Sequence, residues 1–144
     1  LKLLAIRDTP NAIAGGVAAN LHGSVRATKD VDILVPRDEP NMRRVLAALE
    51  ELPYGVAREL GAAEIVRNPI TIVGDDPRVD ILTVAWTVSF ERAWITRVVR
   101  RIQGVRVPYL GRDQLIASKR TGRPSDEADL EVLAALEHEK RRPK

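Results

Sequence analysis

The chain has 144 residues, 44% of them hydrophobic and 3% aromatic, and a formal net charge of +3 at pH 7. This length corresponds to one domain that buries roughly two thirds of its unfolded surface, and the scarcity of aromatic residues leaves Val, Ile, Leu and Ala to form the core. Four of the 23 basic residues lie at positions 140–144, so the chain before them is nearly neutral. The net charge is therefore compatible with nucleic-acid binding but does not by itself indicate it. The absence of cysteine excludes disulfides and thiolate metal sites. Without a signal-peptide pattern or a long apolar run, we expect a cytoplasmic protein with no membrane segment.

Strands and helices alternate in the first half of the predicted fold. Residues 1–6 are apolar enough for the end of a helix, and a turn at 8–11 follows them. The hydrophobic pattern predicts strands at 12–14, 31–35, 70–73 and 79–84. Helices are predicted at 17–22 and at 41–52, and a short uncertain segment at 64–66 precedes a turn at 74–77.

The second half of the chain changes character. A helical turn is predicted at 90–94, two strands around Gln103-Gly104, and helices at 113–120 and 125–139, with Leu130, Leu133 and Leu136 facing inward. We therefore expect an α/β (α+β) chain with a small mixed sheet. Its single domain should cover residues 1–139, with a core at 11–84, a helical part at 112–139, and a basic tail at 140–144.

Two aspartates lie on either side of a valine at the second predicted strand. Because side chains alternate between faces along a strand, Asp30 and Asp32 should project from one face with their Cα atoms about 6 to 7 Å apart, while Val31 and Ile33 point into the core. Like charges on one face repel each other, and aspartate is unfavourable in strands. We therefore expect a cationic partner, and a metal ion shared by the two carboxylates fits that requirement.

A glycine pair lies at the other end of the same unit, between the first strand and the first helix. Gly15 and Gly16 can adopt positive φ and let backbone N–H groups approach a ligand. With the helix N-terminus behind them they form a phosphate-binding corner, although a purely structural tight turn is the alternative. Together with the two acids, this corner suits a nucleoside triphosphate held through metal and amides.

The order of these motifs resembles that of a known superfamily. The stretch GGVAANLHGSVRATKDVDILV (15–35) is similar to the signature of the polymerase β-type nucleotidyltransferases, and in particular to their small prokaryotic AbiEii-like and MenT-like group. The resemblance continues through RVDILT (78–83) and LIASKRTGRPSDEADLEVL (115–133). It implies the polymerase β-like nucleotidyltransferase fold, with flanking helices around a small mixed sheet and C-terminal helices that close a nucleotide cleft.

The resemblance also implies a set of metal ligands. Asp30 and Asp32 would hold two Mg²⁺ ions, with Mn²⁺ as the alternative metal, and Asp80 would complete the site and help to deprotonate the incoming hydroxyl. An ordinary acid that follows a turn is the alternative interpretation of Asp80.

Further site residues are implied near the C-terminus. Lys119 would contact the triphosphate, for which an ammonium point charge is suited. The alternative is that its positive charge stabilises the C-terminus of its helix through the helix dipole. Asp126 and Asp129 match the family's D-x-x-D-L pattern and would lie behind the catalytic residues, unless they cap the last helix. Arg123 would neutralise these acids or bind phosphate together with Gly15 and Gly16.

The expected activity is transfer of a nucleoside monophosphate from a nucleoside triphosphate to an acceptor hydroxyl. The resemblance makes the 3′ end of tRNA the first expected acceptor, and a toxin silenced by a cognate antitoxin protein the expected role. The alternatives are a minimal transferase that modifies a partner protein or a small molecule, and a nucleotide-binding module without catalysis. A metal-dependent glycosyltransferase with a D-x-D motif leaves the glycine pair and Asp80 unexplained.

The histidines and one group of arginines complete the candidates. His22, behind the phosphate corner, is expected to pack or cap rather than to contact the nucleotide, and His138 is expected to be solvated. The arginines of the predicted hairpin either bind a nucleic-acid backbone or form a solvated strand face; they are Arg97, Arg100, Arg101 and Arg106.

Overall fold

The computed structural model describes residues 10–25 and 27–141. The strands are β1 Ala12–Ala14, β2 Val31–Leu34, β3 Ile70–Val73, β4 Val79–Leu82, β5 Val84–Ala85, β6 Val88–Ser89, β7 Val98–Ile102 and β8 Val105–Tyr109. The helices are α1 Gly15–Leu21, α2 Glu39–Leu49, α3 Ala62–Ile65, α4 Phe90–Ile95, α5 Arg112–Ser118 and α6 Pro124–Arg141, with a 3₁₀ helix at Val56–Glu59. None of these helices combines the length and the apolar composition that a membrane-spanning helix needs.

Six strands form one mixed sheet in the order β3-β4-β2-β1-β8-β7, which confirms the predicted fold class. The pairs β2/β4 and β1/β8 are parallel, and the pairs β1/β2, β3/β4 and β7/β8 are antiparallel. The short strands β5 and β6 pair only with each other. Parallel neighbours require crossover connections, so the sheet brings together strands that are far apart in sequence.

The two strands at the middle of the site have the same sequence. Both β2 and β4 read Val-Asp-Ile-Leu, and they run parallel in register, residue for residue. The central isoleucines, Ile33 and Ile81, are almost fully buried on the core side. Because side chains alternate along each strand, the two aspartates project together from the other face.

The core has the predicted composition, since most of its buried side chains are those of Val, Ile, Leu and Ala. The amphipathic helix α2 packs its apolar face there, as the helical spacing predicts, through Met42, Val45, Leu46 and Leu49. In α6, Leu133 is buried and Leu130 and Leu136 are at least half-buried, as expected.

Several boundaries differ from the predicted ones. Helix α1 begins at Gly15 rather than at residue 17. Strand β2 begins at Val31 as predicted, with Asp30 just before it, but ends at Leu34. Strand β4 ends at Leu82, and the hairpin β5–β6 that follows was not predicted. Helix α6 continues through Arg141 and so includes the first two residues of the expected tail. The predicted helix at 1–6 and residues 142–144 lie outside the described residues.

The predicted turn at 74–77 is tied to the segment before the 3₁₀ helix. The carboxylate of Asp75 accepts hydrogen bonds from the backbone N–H groups of Tyr54 (2.9 Å), Val56 (3.2 Å) and Asp76 (2.8 Å). Burial acts to raise the pKa of Asp75, but these N–H groups outweigh it and hold the pKa below its usual range. The charged form of this side chain therefore holds two loops together.

Candidate active site

Three carboxylates from the middle of the sheet line one cleft. The register of β2 and β4 places Asp32 directly opposite Asp80, and neighbouring strands lie about 4.8 Å apart. Asp30, just before β2, lines the same cleft, whose volume is about 440 Å³. The strands thus bring together the three acids that the sequence pattern indicated as metal ligands.

The glycine pair forms one end of this cleft. Gly15 has a φ of +61°, and a Cβ atom at this position would lie 1.9 Å from Oδ2 of Asp32. A Cβ atom at Gly16 would lie 2.9 Å from Oγ1 of Thr28. Ala14, at the N-cap of α1, offers no side-chain hydrogen bond to the first turn. The absence of side chains at both glycines therefore lets the carboxylate and the backbone amides of the turn approach each other closely.

Arg78 is a cationic partner of two of the three acids, Asp80 and Asp30, and the motifs of the sequence did not identify it. Its Nε atom donates to Oδ1 of Asp80 at 2.9 Å and its Nη2 atom to Oδ2 at 3.1 Å. The same Nε atom lies 3.7 Å from Oδ2 of Asp30. The signal was present in the sequence, because Arg78 and Asp80 are two residues apart, the spacing of side chains on one face of a strand.

The charge of the acids is only partly compensated. The pKa of Asp32 is raised to about 6, first by burial and then by the negative charges of Asp80 and Asp30, while the positive charge of Lys119 opposes the shift. A carboxyl group with such a pKa is partly protonated near neutral pH. A further cation at this position would relieve the repulsion.

The donor set has the chemistry that a hard divalent cation prefers, but its geometry is not that of a preformed metal site. Carboxylates together with substrate phosphates are typical ligands of Mg²⁺. Within the described part of the chain, however, no group of three or more acidic or histidine side chains is close enough to hold one ion, and Arg78 occupies both oxygens of Asp80. For the three acids to hold an ion together, Arg78 would have to release Asp80 and the carboxylates would have to move closer to one another.

The opposite wall of the cleft is formed by the end of α5 and the start of α6. Lys119 is 4% exposed, and its Nζ atom lies 2.7 Å from Oδ2 of Asp129 and 4.0 Å from Oδ1 of Asp126. Thr121 and the exposed Arg123 both donate to Oδ2 of Asp126. Asp126 and Asp129 thus hold Lys119 and Arg123 at the cleft.

All nine site residues selected from the sequence line this single cleft: Gly15, Gly16, Asp30, Asp32, Asp80, Lys119, Arg123, Asp126 and Asp129. The cleft also has an apolar side that the sequence motifs did not indicate. Trp86, the largest residue there, belongs to the unpredicted β5–β6 turn.

The remaining candidates lie elsewhere. The Nε2 atom of His22 is 2.8 Å from the carbonyl oxygen of Leu110, and the ring packs edge-on against Tyr109, which confirms the expected packing role. His138 is exposed on α6, as expected. The arginine group is split across the hairpin, because Arg101 pairs with Arg106 on one face and strand alternation places Arg100 on the other.

The fold has a counterpart among solved structures. The fold matches that of an antigenic nucleotidyltransferase-like protein from Paracoccidioides brasiliensis, with a TM-score of 0.57 and 17% sequence identity. The match covers 94% of this chain and 70% of the other protein's chain. No protein-family model matches the chain, and a search of curated proteins finds no match. At this identity the likeness is one of fold. The chain therefore has the mixed α/β fold of a nucleotidyltransferase-like protein.

Proposed function

We propose that the protein is a metal-dependent nucleotidyltransferase that binds a nucleoside triphosphate with Mg²⁺ and transfers the nucleoside monophosphate to an acceptor hydroxyl. The observation that carries the proposal is the in-register pair of Asp32 and Asp80, which meets Asp30 and the Gly15 turn in one cleft. The likeness in fold to a nucleotidyltransferase-like protein supports it.

Each part of the cleft has a role in this proposal. Asp30, Asp32 and Asp80 would hold Mg²⁺, or Mn²⁺ in its place, and the bound ions would neutralise the charge that develops on the phosphates. The backbone amides at Gly15 and Gly16 bind phosphate oxygens from one side. Asp80 orients the acceptor hydroxyl and takes its proton as the acceptor oxygen bonds to the α-phosphorus and pyrophosphate leaves.

Lys119 and Arg123 act from the other wall. The Lys119 ammonium lies against Asp129 and close enough to Asp32 to lower that group's pKa, so it supplies fixed positive charge where the triphosphate would lie. The exposed guanidinium of Arg123 can turn toward a phosphate while Thr121 keeps its own hydrogen bond to Asp126. Both contacts would order the leaving pyrophosphate.

For the acceptor, we propose the 3′ end of tRNA, in a toxin that a cognate antitoxin protein neutralises. The exposed Arg101 and Arg106, which pair on one face of the β7–β8 hairpin, support an RNA acceptor, because phosphate contacts of this kind position a nucleic acid without reading its sequence. A partner protein or a small molecule is the alternative acceptor.

A nucleotide-binding module without turnover is the second candidate. One observation favours it: Arg78 holds both oxygens of Asp80, the residue that would take the proton. In such a module, metal-dependent nucleotide binding would be present and transfer to every acceptor would be absent.

The test is a transfer assay with each of the four α-labelled nucleoside triphosphates, Mg²⁺ and a cell lysate. The variant Asp30→Asn/Asp32→Asn removes two charges with little change in shape, and Asp113→Asn, whose side chain is 94% exposed on α5, is the matched control. We expect label in an RNase-sensitive product with the parent and the control, and none with the double variant.

Other outcomes decide between the alternatives. A protease-sensitive product would favour a partner protein as acceptor. Metal-dependent nucleotide binding without any labelled product would favour the binding module, and the absence of nucleotide binding would contradict the proposed function altogether.

A further inference from the structure

A tryptophan lies in a strained position at the edge of the cleft. The pairing of Ala85 with Val88 leaves Trp86 and Thr87 as the two-residue turn of the β5–β6 hairpin, and Trp86 has a φ of 57°. Turns of this kind with positive φ at the first central position normally have glycine there, and for a bulky residue such a φ is an outlier. Strained residues of this sort concentrate at ligand sites, so the tryptophan calls for a functional explanation.

The indole is also unusually accessible. Trp86 is 57% exposed and lines the same cleft as the three carboxylates. It is joined there by four other apolar residues, which with it form what we call the apolar shelf: Pro69, Ile70, Leu82, Val84 and Trp86. Ile70, which pairs with Leu82 across β3 and β4, is 49% exposed. An exposed apolar surface beside charged groups indicates a ligand that has both an apolar part and a charged part.

The shelf has a defined place relative to the acids. Leu82 is two residues beyond Asp80 on β4, so the two Cα atoms lie about 6 to 7 Å apart and their side chains share a face. The glycine turn lies at the other end, since Ala14 of β1 pairs with Asp32. Along the sheet, the cleft therefore presents first backbone amides, then carboxylates, then the shelf.

We propose that the apolar shelf binds the base of the nucleotide, with Trp86 stacking on its face. This inference rests on the proposed function, and it adds the subsite for the base. A nucleoside triphosphate has the same order of parts as the cleft, with anionic phosphates at one end and a flat, weakly polar ring system at the other. An aromatic side chain can stack on any base, because every base presents a π-face.

The chemistry of the shelf also predicts how selective it is. Apart from the indole N–H, its side chains carry no hydrogen-bonding groups, so they distinguish bases by stacking area rather than by the pattern of donors and acceptors. Purine triphosphates should therefore bind several-fold more tightly than pyrimidine triphosphates, and ATP and GTP should bind with similar affinity.

The experiment uses tryptophan fluorescence in a Trp94→Phe background, where Trp86 is the only tryptophan. The ligands are a non-hydrolysable ATP analogue and inorganic tripolyphosphate, each with Mg²⁺, because the second shares the phosphates but has no base. We expect the nucleotide analogue, but not tripolyphosphate, to quench the fluorescence.

Affinities measured by calorimetry test the contact between Trp86 and the base. These measurements use the protein with its original Trp94. Trp86→Gly places the preferred residue at the positive φ, so the hairpin keeps its fold while the ring is lost. We expect this variant to bind the nucleotide analogue about tenfold more weakly and tripolyphosphate unchanged. Ile70→Ala should weaken binding of the analogue, and Ile72→Ala, an exposed neighbour on the same strand, is the matched control.

The outcomes separate this inference from the proposed function. If Trp86→Gly binds the nucleotide analogue as tightly as the parent, or if tripolyphosphate quenches Trp86 equally, the shelf does not hold the base. If the parent binds neither ligand, the proposed function fails and the base subsite fails with it.

Discussion

Gly15 and Asp32 approach each other so closely that a side chain at Gly15 would overlap the carboxylate. The turn has a left-handed φ of +61°, and a Cβ atom would meet Oδ2 of Asp32 at 1.9 Å and its Cγ atom at 2.8 Å. Two separate physical reasons, backbone conformation and space, thus favour glycine here. The second reason arises only because the acid faces the turn, and it connects the phosphate corner with the proposed metal ligands.

Gly15→Ala should therefore destabilise the protein by more than the strain of its φ alone. A left-handed alanine costs about 1–2 kcal/mol, and the clash with Asp32 adds to that value. Gly104→Ala is the matched control, because Gly104 has a φ of +78° and a Cβ atom there would meet no other described side chain or backbone within 4 Å beyond its chain neighbours. The measurement is the free energy of unfolding by urea denaturation.

A double variant isolates the clash. Asp32→Ala removes the two shortest contacts, so the extra cost of Gly15→Ala over Gly104→Ala should shrink in that background. Equal costs for the two glycine variants in the parent would mean that Asp32 does not approach the turn.

Among the elements, the two Val-Asp-Ile-Leu strands show what the sequence can predict. Alternation of apolar residues identified both strands, and their aspartates were recognised as candidate ligands. The in-register parallel pairing of Asp32 with Asp80 was not predictable from pattern alone, because the choice of a partner strand depends on long-range packing rather than on local periodicity. Arg78, by contrast, pairs with an acid only two residues away, so its spacing was a local signal that the recognised motifs did not include.

The β5–β6 hairpin was missed for a different reason. Each strand has only two residues, which is too short to show an alternating pattern of apolar and polar residues. The turn of the hairpin has Trp86 and Thr87, whereas hairpin turns that can be recognised from sequence have glycine or asparagine. A local signal that contradicts the observed structure is expected at a functional site. The part of the cleft that sequence reasoning could not find is thus the part with a strained, exposed tryptophan.

The two C-terminal helices are joined by a buried ion pair whose loss should be costly. Lys119, at the end of α5, and Asp129, in α6, have side chains that are 5% and 3% exposed. Lys119→Met would leave the carboxylate buried without this cation, which typically costs about 3–5 kcal/mol. We expect Lys119→Met/Asp129→Leu to cost less than the sum of its single variants in a double-mutant cycle followed by urea denaturation.

A second ion pair between the same helices provides the control. Arg112 and Glu137 lie 3.2 Å apart but are 31% and 26% exposed, so Arg112→Met should cost about 1 kcal/mol or less. A cost for Lys119→Met no larger than this would show that Lys119 is not needed to hold the helices, and that its conspicuous burial serves the ligand alone.

At the scale of the whole molecule, the cleft joins the two halves of the chain. The sheet strands supply its acids and its apolar shelf, and the α5–α6 region supplies Lys119 and Arg123. Folding therefore gathers like charges before any ligand is present, and the pKa of Asp32 is raised first by its burial and then by the resulting repulsion. A site built in this way lowers the stability of the free protein and gains stability from a bound cation.

The free energy of unfolding should consequently depend on pH in two opposite ways. Asp32 has a folded pKa of about 6 against an ordinary value of 3.8, so the folded state binds the extra proton between these values and loses stability as pH rises through them. The pKa of Asp75 is lowered by its backbone N–H partners, despite the opposing effect of burial, so its contribution is present above about pH 4 and is lost in stronger acid.

In EDTA, the free energy of unfolding should thus be greatest near about pH 4 and fall by about 2 kcal/mol toward neutral pH. This decrease is smaller than the free energy that corresponds to the whole pKa shift of Asp32, because Asp32 is only partly buried. Urea denaturation across this range measures the profile. Asp32→Asn should abolish the decline, because its amide cannot titrate, while Asp75→Ala should leave the decline unchanged and remove the loss in stronger acid.

Mg²⁺ added at neutral pH should restore stability in the parent and not in Asp32→Asn. A flat profile in EDTA would mean that the carboxylates of β2 and β4 do not repel each other in the folded protein, and the reason to expect a cation between them would be gone.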